Sequence, residues 1–423
     1  MATLADWLAR IEKQHPRAID MGLERVREVA ARMGLGRPAK QVITVAGTNG
    51  KGSTVAFIEA IARSAGWRSG AYTSPHLLAY NERVRIDGSD AVDDALVEAF
   101  EAVEAARGAT PLTYFEHGTL AALWLFERAG LDLAILEVGL GGRLDATNVV
   151  DPDVAVITTV DVDHQDWLGE DREAIGREKA GVARGWRPLV LGDDDPPSSV
   201  LRHAYAIGAS ALRIGCDFFF EPPPPEGGHW RWREVGYELE LPMPALAAPV
   251  QLRNAAVAIA ALRALPAPPK PLPASAIATG MATAVVAGRL QRFERDGVSV
   301  LVDVGHNPQA ARALAEWLRA QPAAGRTRAV YAALDDKDAA GVVTALAEEI
   351  HDWFLAGLED AGARGSGVDA LAVRLAGTAA AAGRRNADVA TALAAALAGA
   401  QAGDRILVFG SFHTVAAALQ VLR

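Results

Sequence analysis

Val42-Ile43-Thr44-Val45-Ala46-Gly47-Thr48-Asn49-Gly50-Lys51-Gly52-Ser53-Thr54 is the stretch on which the fold turns. A β-branched run enters a glycine-rich turn, and a lysine and two hydroxyls follow where a helix should begin. Glycines let backbone N–H groups approach an anion, a helix N-terminus favours negative charge, and a lysine reaches the terminal phosphates. The pattern therefore predicts a phosphate cradle for ATP. It departs from the general form in two places. Val45 stands where the first glycine is expected, and Gly52 displaces the hydroxyl by one residue to Ser53. The competing reading is a plain glycine turn joining strand to helix.

Outward from this loop, strand-like runs alternate with helical patterns. Strands are expected at 42–46, 69–72, 133–138, 154–159 and 188–191, with helices at 51–65 and 118–128. Near-continuous Val/Ile runs separated by helices imply a mostly parallel sheet with helices on both faces. Residues 218–241, with a proline cluster at Pro222–Pro225 and then Trp230-Arg231-Trp232, suggest a small antiparallel hairpin. An alanine-rich helix over 251–265 precedes a Pro-Ala stretch (266–273) that could pass for a linker. A second alternation begins near Ala287–Leu290 and reads as a smaller Rossmann-like α/β domain. The expected division is 1–287 and 288–423.

In open α/β sheets ligands sit beyond the carboxyl ends of strands. Glu137 ends one strand before Gly139-Leu140-Gly141-Gly142-Arg143-Leu144-Asp145, and Asp161-Val162-Asp163-His164 follows the next. Carboxylates there, in the same sheet as a phosphate loop, suit Mg²⁺, which prefers carboxylate and phosphate oxygens. Ser74, in Thr73-Ser74-Pro75-His76, either caps a turn or ligates a metal. By residue type alone, Arg177 to Gly181 is a charged helix face. Likewise Asn307-Pro308 is a helix start, and Gly410-Ser411-Phe412-His413 is either a turn or an anion contact.

Composition narrows the classes. The chain has 423 residues, too many for one core, and is half hydrophobic with 22% charged residues, which is globular. A net charge of −10 argues against a nucleic-acid binder. One cysteine, Cys216, excludes an internal disulfide, suits a reducing compartment and reads as a small buried hydrophobe. No apolar run approaches ~18 residues. The start of the chain, Met1 to Glu12, reads as an amphipathic helix and not a signal peptide. A cytoplasmic protein, without membrane or nucleic-acid partners and monomeric, is the expectation.

The motifs together resemble the Mur-type ATP-dependent amide ligases, and within them the bacterial bifunctional dihydrofolate synthase/folylpolyglutamate synthases. The resemblance is carried by Ile19 to Val26, the phosphate loop, Thr113-Tyr114-Phe115-Glu116, Glu137 to Asn148 and His164 to Gly169. Arg177 to Gly181, Asp303 to Pro308 and Gly410 to Val415 complete it. The Gly-Thr-Asn-Gly-Lys-Gly-Ser spelling is the form this family uses, so the apparent defect at Gly52 becomes a signature.

The resemblance implies roles residue by residue. Thr48, Asn49, Gly50 and Lys51, with Ser53 close by, would hold the ATP phosphates, and Asn254 the base or ribose. Ser74 and Glu137 would bind one Mg²⁺, and Glu137 with His164 a second. Lys179 matches a lysine that is carbamylated in relatives; an anionic carbamate beside two dications makes sense where an ammonium does not. Arg289 and Asp303 would reach ATP from the second domain, while His306 and Ser411 match positions around the incoming glutamate. The pterin-bearing substrate would lie against Asp20, Met21, Gly22, Leu23, Thr113, Tyr114, Phe115, Glu116, Leu144, Asp145 and Ala146. The implied reaction adds L-glutamate to dihydropteroate, and to the γ-carboxylate of reduced folates, through an acyl phosphate. Two alternatives remain: a ligase acting on a UDP-muramoyl peptide, and a P-loop switch without ligation.

Overall fold

A computed structural model describes residues 2–17, 19–224, 227–246 and 248–423. Part of the expected proline cluster, at Pro225, lies outside the described residues, as does Met1 of the expected first helix. The chain forms two compact units, Met1–Ala245 with Gln251–Val285, and Leu246–Val250 with Val286–Arg423.

The first unit is built on eight strands: β1 (Ala39–Ala46), β2 (Ser69–Tyr72), β3 (Val84–Ile86), β4 (Ser89–Asp90), β5 (Leu131–Glu137), β6 (Val154–Ile157), β7 (Pro188–Leu191) and β8 (Ser210–Arg213). Their order is β4-β3-β2-β5-β1-β6-β7-β8. All pairings are parallel except β2 with β3 and β3 with β4. Val42, Ile43, Val45 and Ala46, like Leu133 to Leu136, are fully buried, as expected of strands covered on both faces. Register places the chemistry: Val45 pairs with Glu137 on one side and Val156 on the other, and Tyr72 pairs with Leu136. The carboxyl ends of β1, β2, β5 and β6 thus share one edge, and the loop at 47, Ser74, Glu137 and Thr158 all emerge there.

Helix Lys51–Ser64 leaves that edge and packs against helix Ala274–Thr283. The Pro-Ala stretch therefore joins two helices within the first unit and is no linker. The antiparallel β3 and β4 were not expected. They are too short to show a period: β3 is only Val84-Arg85-Ile86 and β4 only the exposed Ser89-Asp90. The expected hairpin is a three-stranded sheet of β9 (Phe218–Glu221), β10 (Trp230–Glu234) and β11 (Tyr237–Leu241). Trp230 and Trp232 fill its inner face, and Trp232 Nε1 donates to Ala256 O at 3.1 Å, fastening the sheet to helix Val250–Arg263. Arg231 and Arg233 meet Glu221 on the outer face. Cys216 corrects another expectation. It is exposed, because Gly215 (φ +76°) turns the chain back there and presents the thiol to solvent.

The second unit holds β12 (Gln291–Arg295), β13 (Val298–Asp303), β14 (Thr327–Tyr331), β15 (Asp352–Ala356), β16 (Arg384–Asn386) and β17 (Arg405–Phe409), ordered β12-β13-β17-β14-β15-β16. Only β12 is antiparallel. β17 returns between β13 and β14, which opens a switch point at their carboxyl ends. The α/β class, the antiparallel subsheet and the second sheet unit all follow the expectation. Among the described residues no helix is long and apolar enough to cross a membrane.

One core residue gives the first unit an acid limit. His117, on helix Tyr114–Ala129, is wholly buried edge-on to Phe100, and burial pushes its imidazole down to about 4. The unfolded chain accepts a proton below 6.5 that the folded one refuses, so stability falls as pH drops from about 6.5 towards 4. Over that window the loss should reach roughly 3 kcal/mol. Urea titrations of a His117→Phe variant should show a flatter pH dependence than wild type; identical slopes would remove His117 as the cause.

Candidate active site

The loop after β1 needs its glycines. Gly47 and Gly50 take φ +148° and +85°, which disfavour a side chain. A Cβ at Gly47 would overlap the Thr158 hydroxyl, and one at Gly50 would come 2.5 Å from Asn254 Oδ1. The loop is tied to the strand beside it. Thr48 N–H donates to Thr159 O (2.8 Å), Asn49 N–H to Thr159 Oγ1 (3.1 Å), and Thr158 Oγ1 to Asn49 O (2.5 Å). Lys51, first residue of its helix, donates from Nζ to Gly47 O (3.0 Å) and Thr48 O (3.2 Å), curling over the loop. Ser53 is 1% exposed, and its hydroxyl has no hydrogen-bond partner among the described residues. An orphaned buried hydroxyl beneath a phosphate cradle fits a phosphate or metal-bound oxygen. Asn254 is buried against Gly50 and donates to Gln251 Oε1 at 3.0 Å.

Three further groups stand at the same sheet edge. Glu137 is 5% exposed and accepts the Ser74 N–H at 3.1 Å, so the serine loop is docked on the carboxylate. His164 opens the short helix Gln165–Leu168 in a left-handed conformation (φ 53°), with its amide on Asp163 Oδ1 at 2.9 Å. Lys179, near the end of helix Arg172–Ala180, is buried. Burial first, then the nearby Lys51 ammonium, pushes its amine down to about 7; Asp163 and Asp145 oppose the shift. A buried amine in that state is a nucleophile in reach of neutral pH. Among the described residues no three His, Cys, Asp or Glu side chains form a ready metal cage. A carboxylate, a serine and an imidazole are nevertheless donor types that suit Mg²⁺ when phosphate oxygens supply the remaining ligands.

The expected pterin segments come together around one arginine. Arg25 Nη1 donates to Asp20 Oδ2 (2.7 Å) and Nη2 to Glu116 Oε1 (2.9 Å), joining residues from distant parts of the chain. Glu116 also closes a capping box with Thr113 at the start of its helix. Phe115 packs against Gly139, where a Cβ would lie 2.6 Å from its ring, and Met21 abuts Gly141. Asp145 is fully committed within its own loop: Oδ1 accepts from Thr147 N–H (3.0 Å) and hydroxyl (2.6 Å), Oδ2 from Leu140 N–H (2.9 Å). Burial raises its pKa, and these bonds counter the shift.

In the second unit, Asp303 ends β13 and its carboxylate holds two turns, accepting from Leu290 N–H and Gly305 N–H, each at 2.8 Å. It thereby fixes the segment that carries Arg289. His306 Nδ1 lies 3.0 Å from Val304 O, which only accepts, so the neutral ring keeps its lone pair on Nε2. Ser411 caps the terminal helix through Thr414 N–H at 3.0 Å. Residue reading assigned no role to Phe412 or Lys337. The Phe412 ring lies 5.5 Å from the Arg289 guanidinium and 6.5 Å from the His306 ring. Lys337 is a largely buried ammonium 4.0 Å from Asp336, on the loop after β14. Only spatial neighbourhood reveals either.

Comparison with known proteins identifies the family. Residues 45–218 match the Mur ligase middle domain, and 288–412 match the glutamate ligase domain of Mur ligases. The dihydrofolate synthase/folylpolyglutamate synthase of Escherichia coli K12 is 46% identical over 419 residues, covering 99% of this chain and 95% of the relative. Its Haemophilus influenzae counterpart is 41% identical over 431 residues, covering 98% and 96%. Among solved structures, E. coli FolC in complex with DHPP and ADP superposes with a TM-score of 0.92 at 46% identity, covering 99% of this chain and 97% of that one. A bifunctional folylpolyglutamate synthase/dihydrofolate synthase with Mn, AMPPNP and L-glutamate bound gives 0.91 at 45%, covering 100% and 98%. The chain belongs to the Mur ligase family, in its dihydrofolate synthase/folylpolyglutamate synthase branch.

Proposed function

We propose that the chain is an ATP-dependent ligase that joins L-glutamate to dihydropteroate and to the γ-carboxylate of reduced folates. The observation that carries this reading is the meeting, in the first unit, of a pinned phosphate loop with buried Glu137 and Lys179. The binding of ADP, AMPPNP and L-glutamate by its relatives supports it.

The chemistry follows from charge. A substrate carboxylate attacks the γ-phosphorus of ATP, ADP leaves, and an acyl phosphate forms. The glutamate amine, having lost a proton, then attacks the acyl carbon, and phosphate leaves. Both partners of the first step are anions, so the site must neutralise them. The loop amides and Lys51 hold the β- and γ-phosphates. Ser74, Glu137, His164 and a carbamate on Lys179 would hold two Mg²⁺ ions, which when bound supply further charge neutralisation and polarisation of the γ-phosphate. The resemblance assigns Arg289 and Asp303 to ATP, and His306 and Ser411 to the incoming glutamate. Exclusion of water is needed to protect the acyl phosphate.

The deciding experiment is ADP release from ATP, with L-glutamate and either dihydropteroate or tetrahydrofolate. Release with both is expected. Release with a UDP-muramoyl peptide instead would move the chain to another branch's chemistry, and nucleotide binding without release on any acceptor would favour a switch.

A further inference from the structure

Arg83 is 9% exposed and lies between two aromatic rings, its guanidinium carbon 5.4 Å from the Tyr80 centroid and 5.5 Å from that of Tyr114. Its Nε donates to His76 Nδ1 at 2.8 Å, but neither Nη is hydrogen-bonded and no carboxylate pairs with it among the described residues. A buried charge without a counterion is costly and rare. Several carboxylates of the surrounding segments are engaged elsewhere. Glu82, its chain neighbour, is turned onto the amides of Leu77, Leu78 and Ala79; Glu59 holds Arg85, Glu116 holds Arg25, and Glu137 takes the Ser74 amide. The position is also informative. Thr73 N–H donates to Arg83 O at 2.9 Å, one residue before Ser74, and Tyr114 belongs to the substrate-side segment.

We infer that Arg83 is the receiving site for the carboxylate of the pterin-bearing substrate, with the two Nη groups presented as a planar fork. The inference rests on the folate-ligase reading and deepens it. His76 fixes the orientation of that fork: because its Nδ1 accepts from Arg83, the neutral ring carries its proton on Nε2 and cannot compete as an anion. The aromatic sandwich shields the guanidinium, so the incoming carboxylate completes a pair that folding leaves open.

The test uses full-length protein and two ligands, dihydropteroate and its carboxamide analogue, titrated into wild type, Arg83→Gln and Arg83→Lys, with thermal midpoints measured alongside. Wild type should prefer the carboxylate by roughly 10- to 100-fold. Arg83→Gln should erase that preference while leaving the affinity for an ATP analogue unchanged. Arg83→Lys, which keeps the charge between the rings should glutamine prove unstable, should reduce the preference several-fold. Equal weakening of both ligands, or a preference surviving in Arg83→Lys at full strength, overturns the assignment of Arg83 alone. Failure of wild type to bind either ligand overturns the folate reading and the inference with it.

Discussion

Replacement of Lys51 by alanine should lower glutamate-dependent ADP release by about 10²- to 10³-fold, the scale on which a single preorganised charge contact to a transition state counts. The fold should survive. The Lys51 ammonium donates to Gly47 O and Thr48 O of its own loop, and the helix it opens is anchored by Val55, Phe57 and Ile58 in the core. On the proposed reading, the loss would be one of charge at the γ-phosphate. A second consequence follows, because Lys51 helps hold the Lys179 amine down; its removal should raise that amine and slow carbamate formation at neutral pH. Steady-state ADP release and a thermal midpoint on the same preparation decide the matter. Near-wild-type turnover in a folded Lys51→Ala protein would sink the assignment.

Lys179 should be as consequential, and its signature is different. With the amine near 7, the neutral form that reacts with CO₂ grows as pH rises through that value, giving R–NH–COO⁻ and a released proton. Activity should fall in CO₂-depleted buffer and return on adding bicarbonate. ¹³C-bicarbonate should give a carbamate carbon signal in wild type and none in Lys179→Met. In CO₂-free buffer the linkage has a definite sign. Between about 7 and 10.5 the unfolded lysine binds a proton that the folded one does not, so stability should rise with pH there, and Lys179→Met should remove that component. Wild-type activity indifferent to CO₂, with no carbamate signal, would overturn the modification.

Much of this was legible in the residues. The β-branched run at 42–46, the glycines after it and Glu137 at a strand end together predict a parallel sheet with an anion site at its carboxyl edge. What residue type could not supply was convergence. Lys179 looks like one more charge on the face of Arg177–Gly181 until the sheet buries it beside Lys51. Arg25 means little until Asp20 and Glu116, almost a hundred residues apart, close on it. Arg83 is visible only through what is missing around it. The short strands β3 and β4 escaped because three residues and two residues are too few to carry a periodicity. Cys216 escaped because a tight turn overrode the usual preference of cysteine for the interior.

The threonine pair Thr158 and Thr159, which holds the backbone of Asn49 from the neighbouring strand, bears on binding kinetics. Glycine-rich segments lose more conformational freedom on ordering than any others. Here that entropy is surrendered during folding, so the nucleotide meets dipoles already aligned. Association should then be governed by diffusion and desolvation of the triphosphate, and the Asn49 amide should resist hydrogen exchange before any ligand arrives.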